Sequence, residues 1–364
     1  MRRILLFVAL QLVLVAGAAP AFAHGGGGPD ASNFKSSVRG ISRVAAGGET
    51  GTAAGLSGIE FRVLANDALL EVDNRSGKEL IVYGYSEEPY LRIGPDGVFR
   101  NLNSPASYIN NERFGQVDVP EGVSAAAEPR WEKVGDEPKF AWHDHRIHWM
   151  AQTLPPQVAA NATASTIKIY DWSVPFKIGD ESYAVDGTLE WIRPASTAPW
   201  LLGGLAVTSL PLLVGLTKPA GPERQRALKR AFGAMLGMLV VLDVIHSVDD
   251  ILAVPATLWE NISASLQSAL FIALGAYGAL SAWRAGKSAW VGILLGAFGL
   301  ALGIGATHLI SLTSSQIAST FPTAFTRAVI AANVAVLVPA GFLAWRLHEP
   351  VVVESQTSKG TVQT

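Results

Sequence analysis

The sequence predicts a signal peptide, then an extracytoplasmic all-β sandwich of immunoglobulin or cupredoxin type, then an all-α domain of five transmembrane helices. Three observations carry this expectation. Met1-Arg2-Arg3, an apolar run and the small-x-small triplet Ala21-Phe22-Ala23 have the form of a secretory signal. Short segments rich in Val, Ile, Leu and Tyr, separated by Asn, Asp and Gly turns such as Asp73-Asn74-Arg75-Ser76-Gly77, occupy the first half. From residue 199 the character changes to apolar stretches of the length a helix needs to cross hydrocarbon.

Residues 1–23 are the expected signal, and cleavage after Ala23 makes His24 the new N-terminus, followed by Gly25-Gly26-Gly27-Gly28. The β domain is assigned to 24–195, with strands expected at 58–64, 68–73, 78–85, 98–101, 130–134, 141–145, 166–174 and 183–192. The small, polar stretch 155–165 reads as a surface loop. The transmembrane domain is assigned to 199–347, with spans at 200–216, 231–254, 262–283, 289–312 and 322–345, leaving 348–364 as a tail. Lys218, Arg224, Arg226, Lys229 and Arg230 fall in the first connection and Arg284 and Lys287 in the third, while the second and fourth carry no lysine or arginine. The positive-inside rule therefore makes the first and third connections and the tail cytoplasmic. The β domain is then outside a multi-pass plasma-membrane protein, as the signal independently requires.

Composition narrows the chemistry. At 364 residues and 49% hydrophobic the chain is long enough for two domains. A net charge of −2 and the lack of a basic, aromatic-interleaved patch argue against nucleic acid as a partner. Without cysteine there is no disulfide, thiolate metal site or cysteine nucleophile. A sulfur-based Cu(I) site would have only Met150, Met235 and Met238 to draw on. No hydrolase triad, P-loop or dinucleotide loop is visible, since Gly25-Gly26-Gly27-Gly28 leads into no strand-to-helix turn.

The densest chemical signal is Trp142-His143-Asp144-His145-Arg146-Ile147-His148-Trp149, which holds three of seven histidines. In an extended strand residues two apart point the same way, so His143 and His145 present two imidazoles to one place. Imidazole suits copper and zinc, whereas magnesium and calcium prefer oxygen. His148 falls on the opposite side with Asp144 and Arg146 unless the strand ends or bulges near Ile147. The competing reading has Trp142 and Trp149 anchoring the sandwich while the histidines decorate a solvated face. An N-terminal His24 can chelate through its α-amine and imidazole together. With His143 and His145 it makes a four-nitrogen set suited to tetragonal Cu(II), zinc being the alternative ion.

A second polar group lies in the membrane half. Asp243, His246 and Asp250 share one face of the second span, and His308 and Arg327 belong to the fourth and fifth. Ionisable residues in spans cost about 2.5–3.5 kcal/mol each on insertion scales, so they mark either a functional path or a paired network. The functional version is a metal or proton relay through Asp243, His246 and His308. The structural version pairs Arg327 with Asp249 or Asp250 and Asp243 with His246.

His24 with His143-Asp144-His145 resembles the copper-binding region of the β-sandwich subunit of particulate methane and ammonia monooxygenases, and the domain order resembles CopC/CopD-type copper-resistance fusions. The first resemblance implies His24, His143 and His145 as copper ligands. The resemblances support copper rather than any particular activity; with the membrane topology and the intramembrane polar residues, the leading expectation is a membrane-anchored protein that captures Cu(II) and delivers it across or into the membrane. Two alternatives stay open: a non-catalytic scaffold or sensor whose histidines are structural or bind zinc, and a copper-dependent oxidase-like subunit.

Overall fold

The computed structural model describes residues 32–44, 50–52, 56–151, 153–161, 163–217, 219–253 and 258–347. The expected signal 1–23, the ligand His24 and the tail 348–364 lie outside these residues. The described N-terminal half is two antiparallel sheets. The larger, of eight strands, runs in space β2 (Thr50–Thr52), β1 (Phe34–Val44), β11 (Glu181–Ile192), β10 (Thr166–Ile178), β5 (Leu80–Tyr83), β6 (Pro89–Gly94), β7 (Gly97–Asn101) and β8 (Trp131–Gly135). The smaller, of three, places β4 (Leu69–Asn74) between β3 (Ile59–Leu64) and β9 (Lys139–His143).

Alternation explains how the sheets close on one another. Along β10, Trp172, Val174 and Phe176 point inward while Asp171 and Ser173 face out. Phe61 of β3 meets Phe176 with ring centroids 5.0 Å apart, and Leu70, Val72 and Trp142 join the same core. Each large apolar side chain fully buried there contributes about 1.5–3 kcal/mol. Three strands were not expected from the sequence: β1, β2 and β6. The strand expected at 141–145 is instead Lys139–His143, two residues earlier, and that shift shapes the site below.

The second half is helical. Among the described residues four helices are long and apolar enough to cross a membrane: α1 (Ala198–Thr217), α2 (Pro222–Ala253), α4 (Ala289–Ala306) and α5 (Thr323–Leu347). The third expected span lies within another helix, α3 (Leu258–Arg284), so the expectation of five spans stands at four by length and apolarity. α3 nonetheless packs as closely as the rest: a Cβ on Gly278 would lie 2.5 Å from Cα of Gly296 in α4, so only glycine permits that contact. α2 begins well before the expected residue 231 because Pro222 suits a first helical turn and Glu223 to Arg230 are mostly good helix formers. The fourth expected span, 289–312, stops short, since α4 turns π-helical at Ala301–Ala306 and the chain leaves it as a short 3-10 turn at Leu309–Leu312.

Both ends of the β domain are tied to the segment after α4. Ser32 and Gln316 exchange main-chain hydrogen bonds of 3.0 and 2.8 Å, and the Ser315 N–H donates to Oδ1 of Asn33 at 2.8 Å. At the exit of the domain the Ala195 N–H donates to the Thr313 carbonyl at 3.0 Å.

Candidate metal centre

β9 ends at His143, which pairs with Leu69 of β4. The next residues turn, with the Ile147 N–H donating to the Asp144 carbonyl at 3.1 Å. The turn swings His148 back to the side that His143 and His145 occupy. One ring nitrogen from each of His143, His145 and His148 lies within 4.8 Å of the others. The ring centroids are 5.3 Å apart for His143 and His145, 4.5 Å for His143 and His148, and 5.4 Å for His145 and His148. His148 is thus a full member of the group, because the strand breaks earlier than an alternating pattern implies. The histidines do not decorate a solvated face: His148 is fully buried and the other two are half-buried.

Hydrogen bonds fix which nitrogen His145 and His148 can offer. His148 Nδ1 lies 3.2 Å from the Trp149 carbonyl and His145 Nε2 lies 2.9 Å from the Glu112 carbonyl. A carbonyl only accepts, so these two nitrogens carry the protons and leave His148 Nε2 and His145 Nδ1 with lone pairs. Nε2 of His148 and Nε2 of His143 are buried without a hydrogen-bond partner among the described residues. Such unpartnered ring nitrogens are uncommon in a folded interior, and a bound cation satisfies a lone pair at either one. Burial, then the positive charge of Arg113, then His145 push the His143 imidazole down to about 4. Burial, then His143 and Arg113 push His148 down to about 3. Both rings are therefore neutral near pH 7, the form that ligates metal.

The turn is held from behind. Asp144, fully buried, accepts from Trp142 Nε1 at 2.9 Å, the Arg146 main chain at 3.1 Å, and Arg146 Nε and Nη2 at 2.8 and 2.7 Å. Burial alone would raise the Asp144 carboxyl, but the charge and hydrogen bonds of Arg146 hold it below its ordinary value. Arg146 also reaches the Tyr83 carbonyl and lies 5.0 Å from the Tyr85 ring centroid. The Tyr85 hydroxyl accepts from the His145 main chain at 2.9 Å and donates to Asn110 Oδ1, while its ring stacks on His145. Hydrogen-bonded carboxylates and hydroxyls around imidazoles are the supports that orient metal ligands.

Gly115 closes the other side. Its φ of +66° favours glycine, and a Cβ there would lie 2.9 Å from Cε1 and 3.3 Å from Nδ1 of His145. Gly115→Ala should therefore displace His145 and weaken metal binding roughly 10–100-fold, the usual cost of disturbing a ligand's support. Isothermal titration with the fold checked by circular dichroism reads this; unchanged affinity would mean that His145 is not held as a ligand. Glu112, Arg113 and Gly115 escaped the sequence reading, as did Tyr85 and Asn110. They come from two loops far from the histidines in sequence, and nothing in their composition marks them.

The membrane half divides differently from the sequence expectation. His246 and Asp250 of α2 and His308 after α4 bring one ligand atom each within 4.8 Å of one another. Asp243 is not in this group: it accepts from Asn333 Nδ2 of α5 at 2.5 Å, not from His246. Among the described residues Arg327 pairs with neither Asp249 nor Asp250; it donates to the carbonyls of Ser311, Ser314 and Ser315 at 3.3, 2.5 and 3.3 Å. Asp249 accepts from Ser319 Oγ at 2.5 Å and from the Thr320 N–H at 2.7 Å. The reason is geometric: α2 turns Asp249 and Asp250 to different neighbours, and the chain after α4 offers Arg327 the carbonyls of Ser311, Ser314 and Ser315.

No protein-family model, curated protein or solved structure matches this chain.

Proposed function

We propose that this is a membrane-anchored, extracytoplasmic copper-binding protein that captures Cu(II) on His143, His145 and His148 and passes it toward or into the membrane. The observation that carries this reading is the convergence of three histidines, two of them with buried, unpartnered ring nitrogens. Two or more imidazoles with no thiolate favour copper or zinc over hard cations. His24 is the further ligand that favours copper, since its amine and imidazole would complete a nitrogen-rich, tetragonal set. Its reach supports this role: the Ser36 N–H donates to the Asn66 carbonyl at 2.8 Å, and Leu69, three residues on, pairs with His143. Ser36 lies twelve positions after His24, and a chain of that length spans up to about 40 Å.

The anchor is read as five passes with the β domain outside and the tail inside, from the distribution of Lys and Arg. α3 supports the fifth pass, because it exposes Trp259 and Trp283 near its two ends with Leu266 and Leu270 between them, the pattern of aromatic belts flanking a lipid-facing surface. Sequencing the mature N-terminus and titrating Cu(II) and Zn(II) tests the reading. Adding one alanine ahead of His24 should weaken Cu(II) about tenfold or more, ~1.4 kcal/mol, because the amine leaves the chelating residue. Unchanged Cu(II) affinity in the extended protein would remove His24, and a preference for Zn(II) would turn the site into a three-histidine zinc site.

A further inference from the structure

The second side-chain group, at the outer end of the helical half, carries an inference that goes beyond capture by the β domain and does not depend on it. We infer that His246, Asp250 and His308 form a second transition-metal site, taking Cu(II) or Zn(II), between α2 and the end of α4. The distances are close to those of a ligand set. His308 Nε2 lies 3.4 Å from Asp250 Oδ2, and His246 Nε2 lies 3.9 Å from the same oxygen. An ion bound tetrahedrally at 2.0–2.2 Å holds its ligand atoms roughly 3.4 Å apart; both nitrogen–oxygen distances lie within about half an ångström of that, and all three ligand atoms lie within 4.8 Å of one another. The two imidazole rings meet edge to face with centroids 4.8 Å apart.

The backbone is built to aim these groups. His246 and Asp250 are one turn apart on α2, hence on one face. His308 owes its position to the π-helical segment Ala301–Ala306, where a wider turn shifts the register of everything after it. Single π-turns inside α-helices are found often at functional sites. The tautomer of His308 follows from its neighbour. The one proton of the Thr307 hydroxyl is donated to the Gly303 carbonyl, so toward His308 Nδ1, 2.9 Å away, that oxygen accepts. Nδ1 therefore carries the ring proton and Nε2, the atom facing Asp250, has the lone pair. Two imidazoles and one carboxylate leave a position open for a further ligand, and they select a borderline ion over magnesium or calcium.

The surroundings also locate the site against the β domain. The chain that follows His308 is the segment bonded to Ser32, Asn33 and Ala195, so the second group lies beside the junction of the two halves. That placement suits a site that receives an ion from the outer face.

The test is metal stoichiometry on the full-length protein in detergent, loaded with Cu(II) or Zn(II) salt, desalted and analysed for bound metal. The wild type should retain two equivalents and His308→Gln one, with the ectodomain Cu(II) resonance intact in that variant as its folding control. A variant with His24, His143, His145 and His148 all changed to alanine should retain one equivalent, which Asp250→Asn should then remove. If His308→Gln keeps the wild-type stoichiometry, the second site is overturned, whether or not the first holds. A single wild-type equivalent that is lost in the four-alanine variant overturns it as well, while leaving the first site standing. If the four-alanine variant does not fold, the comparison of wild type with His308→Gln decides alone.

Discussion

Replacing His148 by alanine should weaken Cu(II) binding as severely as replacing His143 or His145, by about 100-fold or more, since outer-shell changes alone cost 10–100-fold. A simple strand would make His148 a bystander facing away with Asp144 and Arg146. The structure ends β9 at His143 and folds the chain back through the Asp144 to Ile147 turn, so His148 delivers Nε2 to the same point. Its complete burial sharpens the expectation, because nothing from solvent replaces a lost ring there. Competitive titration of the three alanine variants against a chelator of known affinity checks this. A His148→Ala protein that binds within a factor of about three of wild type, well short of the 1.4 kcal/mol of a tenfold loss, would reduce the site to two histidines.

Asp144→Ala should destabilise the β domain by about 3–5 kcal/mol, the cost of breaking a buried ion pair from one side. Asp144 is fully buried and Arg146 largely so, and the carboxylate also satisfies Trp142 Nε1. Removing it leaves the guanidinium, among the described residues, with the Tyr83 and Gly84 carbonyls and the Tyr85 ring, and leaves the indole N–H without its acceptor. For a domain of this size the loss corresponds to a fall on the order of 10 °C in the thermal midpoint. Metal binding should fall with it, since the ion pair shapes the turn between His143 and His148. A thermal melt of the purified protein followed by tryptophan fluorescence reads the shift, and a change under 2 °C, the effect of about 0.5 kcal/mol or less, would show that the pair is not a structural clamp.

Much of this was legible in the residues. Hydrophobic length located α1, α2, α4 and α5, because a run of about 20 apolar residues has few other folded solutions. The spacing of His143 and His145 announced a convergence that the structure retains. The membership of His148 was legible only as a condition on where the strand stops, and the stop is set by an Asp144 to Arg146 clamp that needs partners from Tyr83 and Tyr85. β1 escaped because FKSSVRGISRV is half-exposed and shows no clean alternation, with a register shift between Val38 and Gly40. β6 escaped because it opens on Pro89, which demotes a strand when only local sequence is read. In the membrane half, shared helical spacing put Asp243 with His246 and Asp250, but side-chain partners on other helices decide such groupings. Asn333 takes Asp243, and the π-turn of α4 supplies His308.

The claim at the centre of this account is that the histidines of the Trp142 to Trp149 segment are metal ligands. Cu(II) paramagnetic resonance on the purified, copper-loaded protein tests it most directly. In a His308→Gln background, which lacks the second group, the account predicts a tetragonal signal with superhyperfine structure from several nitrogens, abolished by His143→Ala, His145→Ala and His148→Ala alike while each variant stays folded. A signal without nitrogen coupling in that background, or one that survives unchanged in the three folded variants, would contradict it.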